Sequence, residues 1–118
     1  MTARKVGVGV IGAGNISSQY LGNLTAFPIL DVLMIADLDV DLARSQAEEF
    51  GVPSSGSVQE LLARDDISIV VNLTNPAAHV EVGLASIAAG KHVWGETPLS
   101  LDRDGGRALL EAGAAARV

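Results

Sequence analysis

The chain contains no cysteine. Disulfides and thiolate metal centres are therefore excluded, and packing and hydrogen bonds must hold whatever forms. Aromatic residues are nearly as scarce, at 3%. The core has to be built from Val, Ile, Leu and Ala, the palette of buried parallel strands under alanine-rich helices. Positive charge is short as well: 8 Lys and Arg face 14 Asp and Glu, a net charge of −6. With no basic patch, the first requirement for binding nucleic acid is unmet. Long hydrophobic runs are missing too. The longest, Val6–Ile11, falls far short of a bilayer span. Arg4 and Lys5 before it imitate the start of a signal peptide, but Gly12, Ala13, Gly14 and Asn15 follow where an apolar stretch is required. The expectation is a soluble cytoplasmic protein with no membrane or nucleic-acid partner. The two histidines have no suitably spaced carboxylates, so no metal site is expected either.

What remains is a chain able to fold. Its 118 residues fit one domain, 48% are hydrophobic, and 19% are charged, too few for a disordered polyelectrolyte. Strand and helix signals alternate along it. Val6–Ile11 is short, rich in valine and ends in glycines, which reads as a buried strand. Residues 15–26 read as a helix closed by Pro28, and 31–36 as a second strand ending in acids. A helix over 42–50 has Asp39 or Asp41 as its cap and Gly51 as its stop. Residues 52–54 suggest a short third strand. Ser57 and Glu60 form a capping box for a helix reaching residue 64.

The second half repeats the pattern. Residues 66–73 make the clearest strand, after a turn at Asp65 and Asp66. Pro76 suits a first helical turn, and Val80, Leu84, Ile87 and Ala88 share one helical face. Gly90 ends that helix. Residues 91–94 are a short strand, and 101–117 a last helix weakened by Gly105, Gly106 and Gly113. Such alternation implies an α/β fold, a three-layer doubly wound parallel sheet of the Rossmann type with strand order 3-2-1-4-5. A sixth strand would have to follow Val118. The chain is therefore expected to be one truncated domain, residues 1–118.

The loop after the first strand carries the chemistry. Gly12-Ala13-Gly14-Asn15-Ile16-Ser17 matches G-x-G-x-x-G with Ser17 at the third glycine. Gly12 permits a tight turn, and Gly14 lets backbone approach a pyrophosphate. The helix N-terminus at Asn15 and Ile16 then offers N–H groups and a positive dipole end to phosphates. This motif is weak alone, but here it follows a strand, opens a helix and is completed by an acid. Asp37 stands 20 residues after Ser17, where a carboxylate accepts hydrogen bonds from an adenosine ribose. Its charge opposes a 2′-phosphate, and Leu38 rather than Arg follows, so NAD is expected over NADP. Asp39 is the rival for that role. The competing reading is a plain glycine turn beside a surface Asp.

Three segments resemble the Gfo/Idh/MocA oxidoreductase family. They are residues 8–17, residues 70–79 (Val-Val-Asn-Leu-Thr-Asn-Pro-Ala-Ala-His) and residues 89–100 (Ala-Gly-Lys-His-Val-Trp-Gly-Glu-Thr-Pro-Leu-Ser). The resemblance spans essentially the whole chain, and the last segment is the most specific. It implies an NAD(P)-binding N-terminal domain, joined in the whole protein to a second domain that holds a sugar, cyclitol or similar polyol and builds a homo-oligomer. It also implies that Thr74 and Asn75 flank the nicotinamide half and that Glu96 lies near the nicotinamide ribose. His79 matches a common histidine beside the reacting centre. The family's Glu-Lys-Pro lysine, which handles the substrate proton, is Thr97 here. A threonine hydroxyl is a far poorer acid than an ammonium. Thr97 and His79 are thus the catalytic candidates, and the departure leaves three options: another acid from the missing domain, a tolerated variant, or a non-catalytic dinucleotide sensor.

Blander readings stand beside these. His79 can be a solvated residue of a first helical turn, His92 is expected to be structural, and Trp94 is either near the nicotinamide or ordinary packing. Without its partner domain, the chain is expected to show no turnover.

Overall fold

The computed structural model describes residues 5–96, 98 and 100–118. Strand and helix alternate along them: β1 (Val6–Ile11), α1 (Asn15–Leu24), β2 (Leu30–Ala36), α2 (Val40–Phe50), β3 (Ser54–Gly56), α3 (Val58–Leu62), β4 (Ile69–Asn72), α4 (His79–Ala88), β5 (His92–Gly95) and α5 (Arg103–Ala116). The strands form a five-stranded sheet in the order β3-β2-β1-β4-β5, every neighbouring pair parallel. The order reverses direction at β1 and β4, so the crevice of this sheet opens beyond their C-terminal ends.

The pleat of β1 sorts its side chains between two cores. Val8 and Val10 join Leu21 of α1 and Ala43 and Ala47 of α2 on one face. Ile11 joins Leu61 of α3, with Val82 of α4 packed alongside, on the other. On that second face Gly9 makes room: a Cβ there would stand 2.8 Å from Leu61 Cδ2. Leu61 itself is fully buried, a placement that stabilises by about 2 kcal/mol.

Local side chains cap three of the helices. Asp39 accepts from Leu42 N at 3.2 Å and so caps α2, and Gly51 closes it in the left-handed conformation. Ser57 and Glu60 form the capping box of α3 in both directions. Asp102 caps α5, which forms despite its glycines.

Several boundaries differ from expectation. The third strand lies at Ser54–Gly56 rather than 52–54. Pro53 has no N–H to give a ladder, and Val52 is spent on the core instead. The fourth strand is confined to Ile69–Asn72, and α4 starts at His79, with residues 76–78 forming a turn. The buried row of α4 is also rotated. His79, Gly83, Ser86 and Ile87 are buried, Val80 and Leu84 are half-buried, and Ala88 is exposed. The cause is α5, whose Leu109 presses on α4 where a Cβ on Gly83 would come within 2.6 Å. Ser86 tolerates burial because its hydroxyl donates to Val82 O at 2.8 Å. No helix among the described residues is long and apolar enough to cross a membrane.

Candidate functional site

Three loops meet at the C-terminal end of the sheet. The first joins β1 to α1. Gly12 has φ +108°, and a Cβ on it would sit 2.6 Å from Leu73 O in the loop after β4. Only glycine fits that crossing. The loop is further pinned by Gly12 N donating to Ala36 O at 2.8 Å and Leu73 N donating to Ile11 O at 2.8 Å.

Gly14 is different. Its φ of −73° suits any residue, and nothing lies within 4 Å of where its Cβ would be. The fold does not need a glycine there. Open space above Gly14 is what a closely approaching ligand requires. The helix start below it has no side-chain cap and no acid in its first turn, whereas α2, α3 and α5 carry both. Gly14, Asn15 and Ile16 are exposed. The positive dipole end of α1 thus faces outward with no acid in its own first turn to meet it.

Ser17, at the third glycine position, is fully buried. Its hydroxyl donates to Gly14 O at 2.6 Å and accepts from Gln46 Nε2 at 2.8 Å. The serine therefore braces the loop against α2. Gln46 is a buried partner that sequence spacing alone did not indicate.

Asp37 follows β2 and is half-buried. Ala13 N donates to its Oδ2 at 2.7 Å, and Asp39 N donates to its Oδ1 at 2.9 Å. Its carboxylate is thereby fixed beside the glycine loop, and each oxygen keeps lone pairs for further donors. Its rival Asp39 has its carboxylate on the α2 cap. Leu38 between them is 97% exposed, an apolar surface next to the acid.

The loop after β4 is organised by Asn72, which is buried. Its Nδ2 donates to His79 O at 3.0 Å, and its Oδ1 accepts from Thr74 N at 3.3 Å and Thr74 Oγ1 at 2.7 Å. Its main-chain oxygen accepts from Glu96 N at 3.2 Å and pairs with His79 Nε2 at 3.0 Å. A carbonyl only accepts, so Nε2 carries the proton. Asn75 is exposed and its Oδ1 accepts from Ala78 N at 3.2 Å. His79 is 3% exposed, so it is not a solvated helix-start residue. Its ring lies against Gly95, where a Cβ would stand 3.4 Å from Cε1.

Glu96 follows β5 and is half-buried. Tyr20 of α1 donates its hydroxyl to Glu96 Oε2. That contact, with partial burial, holds the phenol above its ordinary pKa, and the Trp94 side chain pulls the other way. Trp94 is 64% exposed, so it is not core packing. Thr97 lies outside the described residues. Gly12, Gly14, Asn15, Ile16, Asp37, Thr74, Asn75 and Glu96 thus lie on the loops and helix start that follow strands of this sheet. Asn72 and Tyr20 were not singled out from the sequence. The signal for Asn72 was available, since an amide closing an apolar strand must find partners once buried.

An α/β sheet with an open glycine loop, an uncapped helix start and an acid after its second strand defines a dinucleotide-binding Rossmann domain. The chain belongs to the oxidoreductase family with an NAD-binding Rossmann fold, Gfo/Idh/MocA, whose model matches residues 6–118. It is 36% identical over 102 residues to dTDP-3,4-didehydro-2,6-dideoxy-alpha-D-glucose 3-reductase of Actinomadura kijaniata, covering 86% of this chain and 31% of that one. It is 32% identical over 113 residues to inositol 2-dehydrogenase 3 of Saccharopolyspora erythraea, covering 95% of this chain and 32% of that one. Among solved structures, GenD2 from gentamicin A biosynthesis, in complex with NAD, superposes with a TM-score of 0.93 at 32% identity, over 98% of this chain and 33% of that one. KijD10, a 3-ketoreductase from Actinomadura kijaniata in complex with NADP, gives 0.90 at 32% identity, over 96% and 36%. The chain therefore spans about a third of the length of these relatives.

Proposed function

We propose that this chain binds the nicotinamide dinucleotide of an oxidoreductase that acts on a CH–OH or carbonyl group of a sugar, cyclitol or related polyol. The observation that carries this is the exposed, uncapped start of α1 beneath open space at Gly14, beside the fixed carboxylate of Asp37. A dinucleotide supplies hydride chemistry when bound. The chain's own part is to hold it. Gly12, Gly14, Asn15 and Ile16 cradle the pyrophosphate, with N–H groups and the helix dipole meeting its charge. Asp37 accepts from the adenosine ribose and repels a 2′-phosphate, which favours NAD over NADP. The exposed Leu38 gives the adenine an apolar neighbour. Thr74, Asn75 and Glu96 flank the nicotinamide half. His79 and Thr97 are assigned to the neighbourhood of the reacting centre, His79 by holding the ends of β4 and β5 together. The polyol site and the oligomer contacts are assigned to the rest of the full-length protein. The chain alone is expected to show no turnover, because hydride transfer needs a substrate held in near-attack geometry.

The test uses Trp94, the one tryptophan, as fluorescence donor. Saturable quenching by NADH, weaker binding of NADPH, and at least about tenfold loss of NADH affinity in Asp37→Ala are expected. NADPH binding as tight as NADH would refute the role of Asp37. Thr97 in place of lysine also favours a second reading, a dinucleotide sensor without catalysis. Reduction of NAD by the full-length protein with any polyol would end that reading.

A further inference from the structure

Tyr20, the one tyrosine of the chain, lies on α1 four residues beyond Ile16 and hence on the same helical face as the exposed first turn. Its ring packs against the core cluster beneath α1, so the hydroxyl stands at a fixed height above the sheet. There it meets the Glu96 carboxylate, 76 positions away in sequence. The main chain of Glu96 is tied to β4 through Asn72 O. Its carboxylate, by contrast, sits at the end of three rotatable bonds, which that main-chain bond does not fix. A phenol anchored by its ring gives it a directed donor.

We propose that Tyr20 is a positioning residue for Glu96, directing the carboxylate assigned to the nicotinamide ribose and tying the pyrophosphate-cradling helix to the end of β5. The proposal rests on the cofactor reading above. A neutral phenol donating to an anionic carboxylate is the arrangement that holds a tyrosine proton more tightly, in line with the raised pKa of Tyr20. The geometry also links two ends of one ligand. The same helix meets the pyrophosphate at its first turn and orients the nicotinamide end one turn later.

The test compares NADH with ADP, which has the adenosine and pyrophosphate but no second ribose, on the wild-type chain and Tyr20→Phe by calorimetry. The variant keeps the ring and removes only the hydroxyl. NADH binding is expected to weaken about fivefold, the effect of one net hydrogen bond, while ADP binding changes by less than about twofold. Unchanged NADH binding, or equal weakening of both ligands, overturns the positioning role and leaves the cofactor reading intact. Wild-type protein that binds neither ligand overturns both. A second readout is independent of any ligand. With one tyrosine present, the rise of tyrosinate absorbance in alkali reports Tyr20 alone. Its midpoint is expected to fall toward the ordinary phenol value in Glu96→Gln, and a midpoint that does not move overturns the proposal.

Discussion

Gly12 and Gly14 sit two residues apart in one motif, yet the structure gives them separate duties that a pair of alanine substitutions should separate. At Gly12 the backbone is left-handed, with φ +108°, and the new Cβ would lie 2.6 Å from Leu73 O and 2.7 Å from Leu73 C. Holding a non-glycine residue there costs about 1–3 kcal/mol. Those neighbours are backbone atoms, so the loop after β4 must also move, and a total of roughly 3–4 kcal/mol is expected. At Gly14 the φ of −73° suits alanine and no atom lies within 4 Å. Losing a glycine N-cap costs a few tenths to about 1 kcal/mol, and a stiffer unfolded chain returns about 0.4–1. The two nearly cancel, and net stability should stay within about 0.5 kcal/mol. Gly14→Ala should instead lose at least about tenfold in NADH affinity, because its methyl occupies the space assigned to the pyrophosphate. Urea unfolding measures the first effect and calorimetric titration with NADH the second. Gly14→Ala that binds NADH like wild type, or that is destabilised as much as Gly12→Ala, would refute the division of labour.

Other substitutions test the remaining parts of the site. Asn72→Leu keeps the volume but strips partners from His79 O, Thr74 N and Thr74 Oγ1. A loss of about 2–4 kcal/mol in urea unfolding is expected, and a loss under about 0.5 would show that the network is dispensable. The capping box carries a pH dependence. The Ser57 backbone N–H holds the Glu60 carboxyl below its usual value. A folded pKa below the unfolded one means that this stabilisation is complete at neutral pH and is lost as pH falls through the folded value. Glu60→Gln keeps an acceptor for Ser57 N but does not titrate, so its stability should fall less than wild type on acidification. Parallel stability curves down to acid pH would contradict this.

Much of the architecture was legible because it rests on local signals. Alternating strand and helix patterns, the Ser57–Glu60 box, the Gly51 stop and an α2 cap at Asp39 or Asp41 are decided within a few residues of chain, and the structure chose Asp39. The doubly wound order then follows from the handedness of parallel crossovers. The glycine loop and Asp37 were legible for the same reason, since their spacing is measured along one β-α-β unit. The third strand was misplaced because Pro53 and the demand of the core for Val52 act against local propensity. Which residues of α4 are most buried was not legible, because α5 decided which side of the helix had room.

The sequence by itself determined the fold class, the family and the glycine loop that opens a helix without a side-chain cap, because backbone geometry at a helix start is a local property. Only the tertiary structure decided that Gly12 is forced by Leu73 while Gly14 is not, that Ser17 leans on Gln46, and that Asn72 holds one loop together. It alone brought Tyr20 to Glu96. Such contacts join residues far apart in the chain, and they exist only once the sheet has ordered its strands and two helical layers have packed against it.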